Sequence, residues 1–142
     1  MKRCENKFKL YLPSLSINEG MARCAVSAFV AQLNPTIEEL SDIKCAVSEA
    51  VTNAIVHGYK LSQGEIYIGV KYYADRTVVI EISDKGCGIE DVKLATTPLF
   101  TTDTSGERSG MGFAVMQTFM DKLEVRSKKG YGVRILMEKK LG

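Results

Sequence analysis

The sequence predicts an α+β fold, a two-layer α/β sandwich in which a mixed, mostly antiparallel sheet carries its helices on one face. Strand and helix patterns follow one another in the order β-α-α-β-β-loop-α-β-β. Two pairs of successive strand patterns are separated by only a few turn residues, which favours hairpins and antiparallel pairing. The length of 142 residues indicates a single domain, 1–142, around one core.

The chain begins with a predicted strand and helix. Apolar and polar residues alternate over 8–12, as in a half-buried strand, and Pro13 ends the run. Ser16 and Glu19 have capping-box spacing, which predicts a helix that runs to about Leu33.

A second, longer helix is predicted after the break at Asn34-Pro35. Thr36 and Glu39 repeat the capping-box spacing at its start, and Gly58 is the expected stop. An apolar stripe should face the core. Its members are Ile43, Ala46 or Val47, Ala50 or Val51, and Ala54 or Ile55.

The second half of the chain predicts four strands and one helix. Two β-rich runs, Glu65–Tyr73 and Thr77–Ser83, form a hairpin. A helix is predicted over about 112–122, followed by a hairpin that joins 123–127 to 133–138. The intervening stretch from 84 to 110 shows no sustained period, and such long irregular segments are usually functional or mobile.

Composition and charge narrow the possible functions. Hydrophobic residues make up 45% of the chain and charged residues 25%, as in soluble globular proteins. The net charge of +2 is too small to favour a nucleic-acid or membrane partner. No apolar run approaches the roughly 18 residues of a membrane span, and no signal peptide is visible, so we expect a cytoplasmic protein.

The four cysteines are predicted to be free thiols. They lie far apart and form no CxxC pair, so a zinc site is not expected. Cys24 and Cys45 fall in helical patterns and are predicted to be small core residues. Cys87 lies between two glycines, where we expect exposure.

Glu49 and Asn53 form the first candidate site. Their spacing of four residues places a carboxylate and an amide one turn apart on one helix face. The amide oxygen can bind a hard cation, and the carboxylate can accept a proton or orient a nucleophile. By itself, such a pair also fits an ordinary solvated helix face.

Two glycine-rich segments complete the candidate site. Asp84, Gly86 and Gly88 follow a strand, where a carboxylate can accept a hydrogen bond from an exocyclic amine, although a plain surface turn fits too. Gly110 and Gly112 open a helix, whose first N–H groups bind phosphate readily. Arg108 could meet a terminal phosphate, and an ordinary glycine-rich helix start is the alternative.

Taken in order, the three segments resemble the N, G1 and G2 boxes of the GHKL ATPase and kinase superfamily. That group includes gyrase-type ATPases, Hsp90-type chaperones, mismatch-repair ATPases and histidine-kinase catalytic domains. Residues 49–59, 98–102 and 107–113 look like those of its small stand-alone members, the anti-sigma-factor serine kinases of the sporulation type. The similarity extends over about 8–140 and implies the GHKL (Bergerat) fold.

The resemblance implies a role for each matching residue. Glu49 would be the general base or orienter, Asn53 the Mg²⁺ ligand, and Asp84 the acceptor of the adenine amino group of ATP or ADP. Arg23 and Arg108 would contact protein partners. The other nucleotide-binding residues implied are Gly86, Gly88, Ile89, Thr101, Arg108, Ser109, Gly110, Met111, Gly112 and Phe113.

The same resemblance implies a reaction and partners. A sigma factor of the sigma F type would be held inactive, a serine of an anti-anti-sigma factor would be phosphorylated, and the chain would form a homodimer. A general-stress (sigma B) kinase and a nucleotide-sensing sequestering module with negligible kinase activity are the alternatives. Val133 departs from the family pattern, since many members have a threonine whose hydroxyl supports an adenine-binding water.

Overall fold

The computed structural model describes residues 3–58, 64–86, 112–128 and 132–142. Its elements follow the predicted order. The strands are β1 (Cys4–Pro13), β2 (Glu65–Tyr73), β3 (Thr77–Ser83), β4 (Lys122–Lys128) and β5 (Gly132–Lys140). The α-helices are α1 (Asn18–Val30), α2 (Ile37–Asn53) and α3 (Gly112–Phe119), with a 3₁₀ turn at Ala31–Leu33 and a π-helical turn at Ala54–Gly58.

The five strands form one sheet in the order β1-β2-β3-β5-β4. Each neighbouring pair is antiparallel, and β2–β3 and β4–β5 form the two predicted hairpins. Ile68 lies opposite Ile82, and Ile80 lies opposite Met137, so apolar side chains align across the central strands. This register puts one hydrophobic face of the sheet toward the helices.

The core lies between that face and the helices. Alternate residues of β2, β3 and β5 are buried together with one stripe of each helix, and α2 packs against both α1 and α3. The predicted apolar stripe of α2 is confirmed. Where the sequence left a choice between two neighbours, at 46 or 47 and at 50 or 51, both residues are buried. The buried residues of α2 and the following turn are Ile43, Ala46, Val47, Ala50, Val51 and Ala54.

The two capping-box predictions have opposite outcomes. Thr36 accepts a hydrogen bond from the Glu39 N–H at 3.0 Å, and the Glu39 carboxylate accepts one from the Thr36 N–H at 2.8 Å. The prediction of a capping box at Ser16 and Glu19 was wrong, because α1 begins at Asn18 without a side-chain cap. The chain enters α1 through a turn instead, and Glu19 turns toward other partners.

Two helix ends differ from the predicted bounds. α1 gives way to the 3₁₀ turn after Val30, and Asn34 ends it in the left-handed region at φ 50°. α3 ends at Phe119 rather than near Lys122, because Lys122 already pairs with Glu138 as the first residue of β4.

Cys24 and Cys45 are exposed, so their prediction as core residues was wrong. The buried stripe of α1 includes Ala22 and Val26, and Cys24 lies between them on the opposite side of the helix. Cys87 lies outside the described residues.

The sheet face away from the helices carries polar and aromatic side chains. A depression of about 810 Å³ lies on this open face, across β1, β2, β3, β5 and β4. Glu81 and Arg134 form an ion pair there, with 2.8 Å between their side-chain atoms. Within the described part of the chain, no helix is long and apolar enough to cross a bilayer.

Candidate nucleotide-binding site

The last turns of α2 carry the predicted acid and amide. Glu49 and Asn53 belong to the same continuous α-helix, so they lie one turn apart on one face as expected. Asn53 is buried at 7% exposure, and Glu49 is half-buried. Directly after Asn53 the helix widens into the π-helical turn, a feature that is frequent at functional sites.

Asp84 follows the end of β3 and is held by the backbone on both sides. Its N–H donates to the Val133 carbonyl at 2.9 Å, which continues the pairing with β5. Its carboxylate accepts a hydrogen bond from the Gly86 N–H at 2.8 Å. The turn after β3 therefore fixes the carboxylate in a buried position, with 7% of the residue exposed.

Burial raises the pKa of Asp84, and the hydrogen bond from the Gly86 N–H opposes that rise. A buried carboxylate is costly unless its remaining acceptor capacity is used. An exocyclic amine such as that of adenine could supply a further donor. The environment of Asp84 thus suits the recognition of a base edge.

Gly132 is a site residue whose role could not be predicted from the sequence. It has φ +99°, a conformation that favours glycine, at the first position of β5. A Cβ built on it would lie 2.1 Å from the Asp84 carbonyl oxygen and 2.7 Å from the Lys85 Cα. The absence of a side chain is what lets β5 approach the Asp84 turn.

Gly132 lies in the short connection of the predicted final hairpin, and that position alone did not indicate its role. The side chain of Val133 is buried at 4% exposure, and its backbone carbonyl accepts a hydrogen bond from the Asp84 N–H. The valine at this position takes part in this contact through its backbone alone, so the contact does not depend on the side chain.

Helix α3 begins at Gly112, which is buried against the rest of the protein. Phe113 is 7% exposed and Met116 is fully buried, both within the core. These anchors hold the helix against α2, which carries Glu49 and Asn53. Phe113 therefore supports the helix start by packing.

Arg23 lies on α1 with its side chain 42% exposed. Its guanidinium is 3.6 Å from the Glu19 carboxylate, which also accepts a short hydrogen bond from the Ser48 hydroxyl. Ser48 directly precedes Glu49 on α2. The Glu19–Ser48 link was not expected from the sequence, and it ties the orientation of Arg23 to the helix of the candidate base.

The other predicted site residues lie outside the described residues and stay predictions. They are Gly88, Ile89, Thr101, Arg108, Ser109, Gly110 and Met111. Among the described residues, no group of three or more His, Cys, Asp or Glu side chains could hold a metal ion.

A family model described as "Histidine kinase-like ATPase domain" matches residues 13–139. The class that this match and the fold define is therefore the histidine kinase-like ATPase domain. A solved structure of the RsbU and RsbW domains of Rv1364c from Mycobacterium tuberculosis superposes with a TM-score of 0.70 at 18% identity, over 96% of this chain and 32% of that one. The catalytic domain of histidine kinase ThkA gives a TM-score of 0.55 at 16% identity over 96% of both chains.

Curated relatives narrow the class. An anti-sigma F factor of Clostridium perfringens (strain SM101 / Type A) is 53% identical over 96% of this chain and 98% of its own. One from Clostridium botulinum (strain Eklund 17B / Type B) is 56% identical over 96% of this chain and 95% of its own. The chain belongs to the anti-sigma F factors, a family within the histidine kinase-like ATPase domains.

Proposed function

We propose that the protein, as a single domain over 1–142, is both an anti-sigma factor and a Mg-ATP-dependent serine protein kinase. It binds and inhibits a sporulation sigma factor of the sigma F type and phosphorylates a serine of the anti-anti-sigma factor. The observation that carries the proposal is the position of Glu49 one turn before the buried Asn53, on the helix that packs against α3.

The nucleotide is held at its two ends. The Asp84 carboxylate receives the adenine amino group, and the backbone at Gly86 shapes that pocket. The phosphates lie at the start of α3, where Gly112 offers backbone N–H groups without a side chain in the way. Gly88, Ile89, Thr101 and the segment 108–111 would complete the enclosure.

The residues present fit a magnesium ion that enters with the nucleotide. Mg²⁺ commonly takes only one or two protein oxygens together with phosphates and water, so a single buried amide at Asn53 is a suitable donor. When bound, the ion would offset negative charge on the phosphates as the phosphoryl group transfers. No larger cage of protein ligands is required for this role.

Glu49 acts on the substrate serine. A half-buried carboxylate one turn from the metal ligand can accept the hydroxyl proton or orient the oxygen in line with the terminal phosphate. The N–H groups at the start of α3 stabilise the charge that develops. A protein that only senses nucleotide would not need a carboxylate at this position, so Glu49 favours the kinase over the sequestering module.

Protein partners dock where Arg23 and Arg108 can reach them. Arg23 is partly exposed, and its ion pair with Glu19 fixes it beside the helix of the base. The relatives named anti-sigma F factor favour a sigma F type partner over the general-stress type. These partners place the protein in the cytoplasm.

The protein forms a homodimer through the open face of the sheet near β1. The helices that the structure describes pack on the other face of the sheet, and Tyr11 on β1 is 55% exposed on this one. Tyr11 packs beside Tyr67 of β2, with 5.2 Å between ring centroids, which gives an apolar centre to the surface. Sedimentation equilibrium tests this, because Tyr11→Glu should shift the protein to a monomer.

The kinase is tested with purified protein, γ-labelled ATP, Mg²⁺ and an anti-anti-sigma factor of a related sporulating bacterium. Label should appear on one substrate serine and disappear when that serine is replaced by alanine. The opposite result is a protein that binds ATP and captures the sigma factor while no label appears on the substrate. That result would contradict the kinase and support the nucleotide-sensing sequestering module.

A further inference from the structure

Lys139 contacts both α2 and α3 through its side chain. It lies on β5, and its side chain is only 13% exposed. Its ammonium group donates a hydrogen bond to the Phe119 carbonyl, the last residue of α3, at 2.7 Å. The same ammonium lies 3.4 Å from the Asp42 carboxylate on α2.

This burial is unusual for a lysine and is balanced by its partners. An ammonium group loses hydration when it is covered, and removal of one partner leaves the other charge unpaired. Here a carboxylate and the negative end of the α3 dipole both face it. By contrast, Lys122 pairs with Glu138 while 77% exposed, so that pair can hold little in place.

Three contacts locate the end of α3 beside the first half of α2. The C-terminal Gly142 N–H donates to the Glu39 carboxylate at 2.8 Å, so β5 ends beside the first turn of α2. Asp121, just after α3, donates its N–H to the Glu138 carbonyl at 2.8 Å, near the same end of β5. Because α3 also packs against α2, an antiparallel course would carry its start at Gly112 toward the C-terminal half of α2.

The position of Lys139 sets how far along α2 the start of α3 lies. Asp42 precedes Glu49 by seven residues, and Gly112 precedes Phe119 by the same number. Both helical stretches measure about 10.5 Å. With α3 antiparallel to α2, a lysine that holds the Phe119 carbonyl beside Asp42 would place Gly112 level with Glu49.

From this geometry we infer that Lys139 is a positioning residue that sets the register of α3 against α2 and so aligns the phosphate-binding start of α3 with Glu49. The inference rests on the proposed function for its catalytic consequence. Displacement of a catalytic group by about 1 Å can cost up to 100-fold in rate. We call the contacts of Lys139 with Phe119 and Asp42 the clamp. Loss of the clamp should therefore slow phosphoryl transfer more than it weakens nucleotide binding.

The test compares Lys139→Met and Lys139→Arg with Lys122→Met, a lysine ion pair outside the clamp. Single-turnover phosphoryl transfer at saturating ATP, the Kd for ADP and amide hydrogen exchange in α3 are measured on each. Lys139→Met should slow transfer at least tenfold and speed exchange in α3, with the Kd for ADP within threefold of wild type. Lys139→Arg should restore most of the rate, and Lys122→Met should match wild type.

Asp42→Asn offers a second route if Lys139→Met does not fold, since it keeps the bond to Phe119 and removes only the charge pair. Unchanged α3 exchange in the folded clamp variants would overturn the inference, as would wild-type transfer or a parallel loss of ADP binding and transfer. Absence of transfer by the wild-type protein would instead contradict the proposed kinase, and hydrogen exchange would still decide the role of the clamp.

Discussion

Replacement of Gly132 by alanine should damage the fold and the nucleotide site together. The new methyl group would lie 2.1 Å from the Asp84 carbonyl oxygen and 2.8 Å from its carbonyl carbon. Both are backbone atoms, so no rotamer change can relieve the contact. The positive φ of +99° adds strain that glycine does not have.

The size of the effect follows from these two sources. A sparsely populated backbone conformation costs about 1–3 kcal/mol, and overpacking costs about 1–3 kcal/mol more. We expect a loss of about 2–6 kcal/mol in the free energy of unfolding. Since a Cβ contact below 3.0 Å is essentially never seen, the Asp84 turn must move by about 1 Å, which should weaken ADP binding at least tenfold.

Urea denaturation and calorimetric titration with ADP measure the two effects. Gly20→Ala is the matched control, because its new Cβ would meet nothing closer than the Arg23 guanidinium at 3.8 Å within helix α1. That change should stabilise the protein by about 0.5–1 kcal/mol and leave ADP binding unchanged. A Gly132→Ala protein with wild-type stability and affinity would refute the proposed close approach of β5 to Asp84.

Three further predictions concern charge, capping and the core. Burial raises the pKa of Asp84, so the folded state keeps this proton to a higher pH than the unfolded chain, and the free energy of unfolding should fall as pH rises between the two pKa values. Asp84→Asn should remove that fall, as measured by a pH series of urea denaturations. The variant should be at least as stable as wild type at neutral pH and should lose ADP binding. An unchanged dependence of stability on pH would contradict this. Thr36→Ala should cost about 1 kcal/mol by loss of the N-cap of α2, measured by chemical denaturation, and a neutral result would discount the capping box. Ile68→Ala, at a fully buried position of β2, should cost about 2–5 kcal/mol in the same assay, and a loss below 1 kcal/mol would mean that the core collapses around the change.

The order and type of the elements could be predicted because they depend on local patterns. Strands β2 and β3 have the predicted bounds, since β-rich runs and the turn residues between them mark both strands in the sequence. The exposed positions of Cys24 and Cys45 could also have been found, because both fall out of phase with the apolar period of their helices. The prediction that these cysteines are buried relied on residue type alone and was wrong.

Contacts between distant segments could not be predicted. Ser16 and Thr36 begin equivalent capping-box motifs, yet Glu19 is drawn to Ser48 and Arg23 from other parts of the fold. A local spacing rule does not include these competing partners.

The site was predictable where its residues share one helix or one turn. Glu49 and Asn53 are set by helix geometry, and the Asp84 turn is set by its own backbone. The roles of Gly132 and Lys139 depend instead on approaches between strands and helices that are far apart in sequence. Such residues carry no motif, and only the packed structure brings them to the site.

The most direct measurement is single-turnover phosphoryl transfer by Glu49→Gln, with the Kd for ATP determined on the same samples. Glutamine keeps the size and polarity of the side chain and removes its ability to accept the serine proton. We predict that transfer to the anti-anti-sigma factor falls at least 100-fold while the Kd for ATP stays within threefold. Transfer at the wild-type rate would show that Glu49 is not the base, and a loss of ATP binding equal to the loss of rate would place it in nucleotide binding instead.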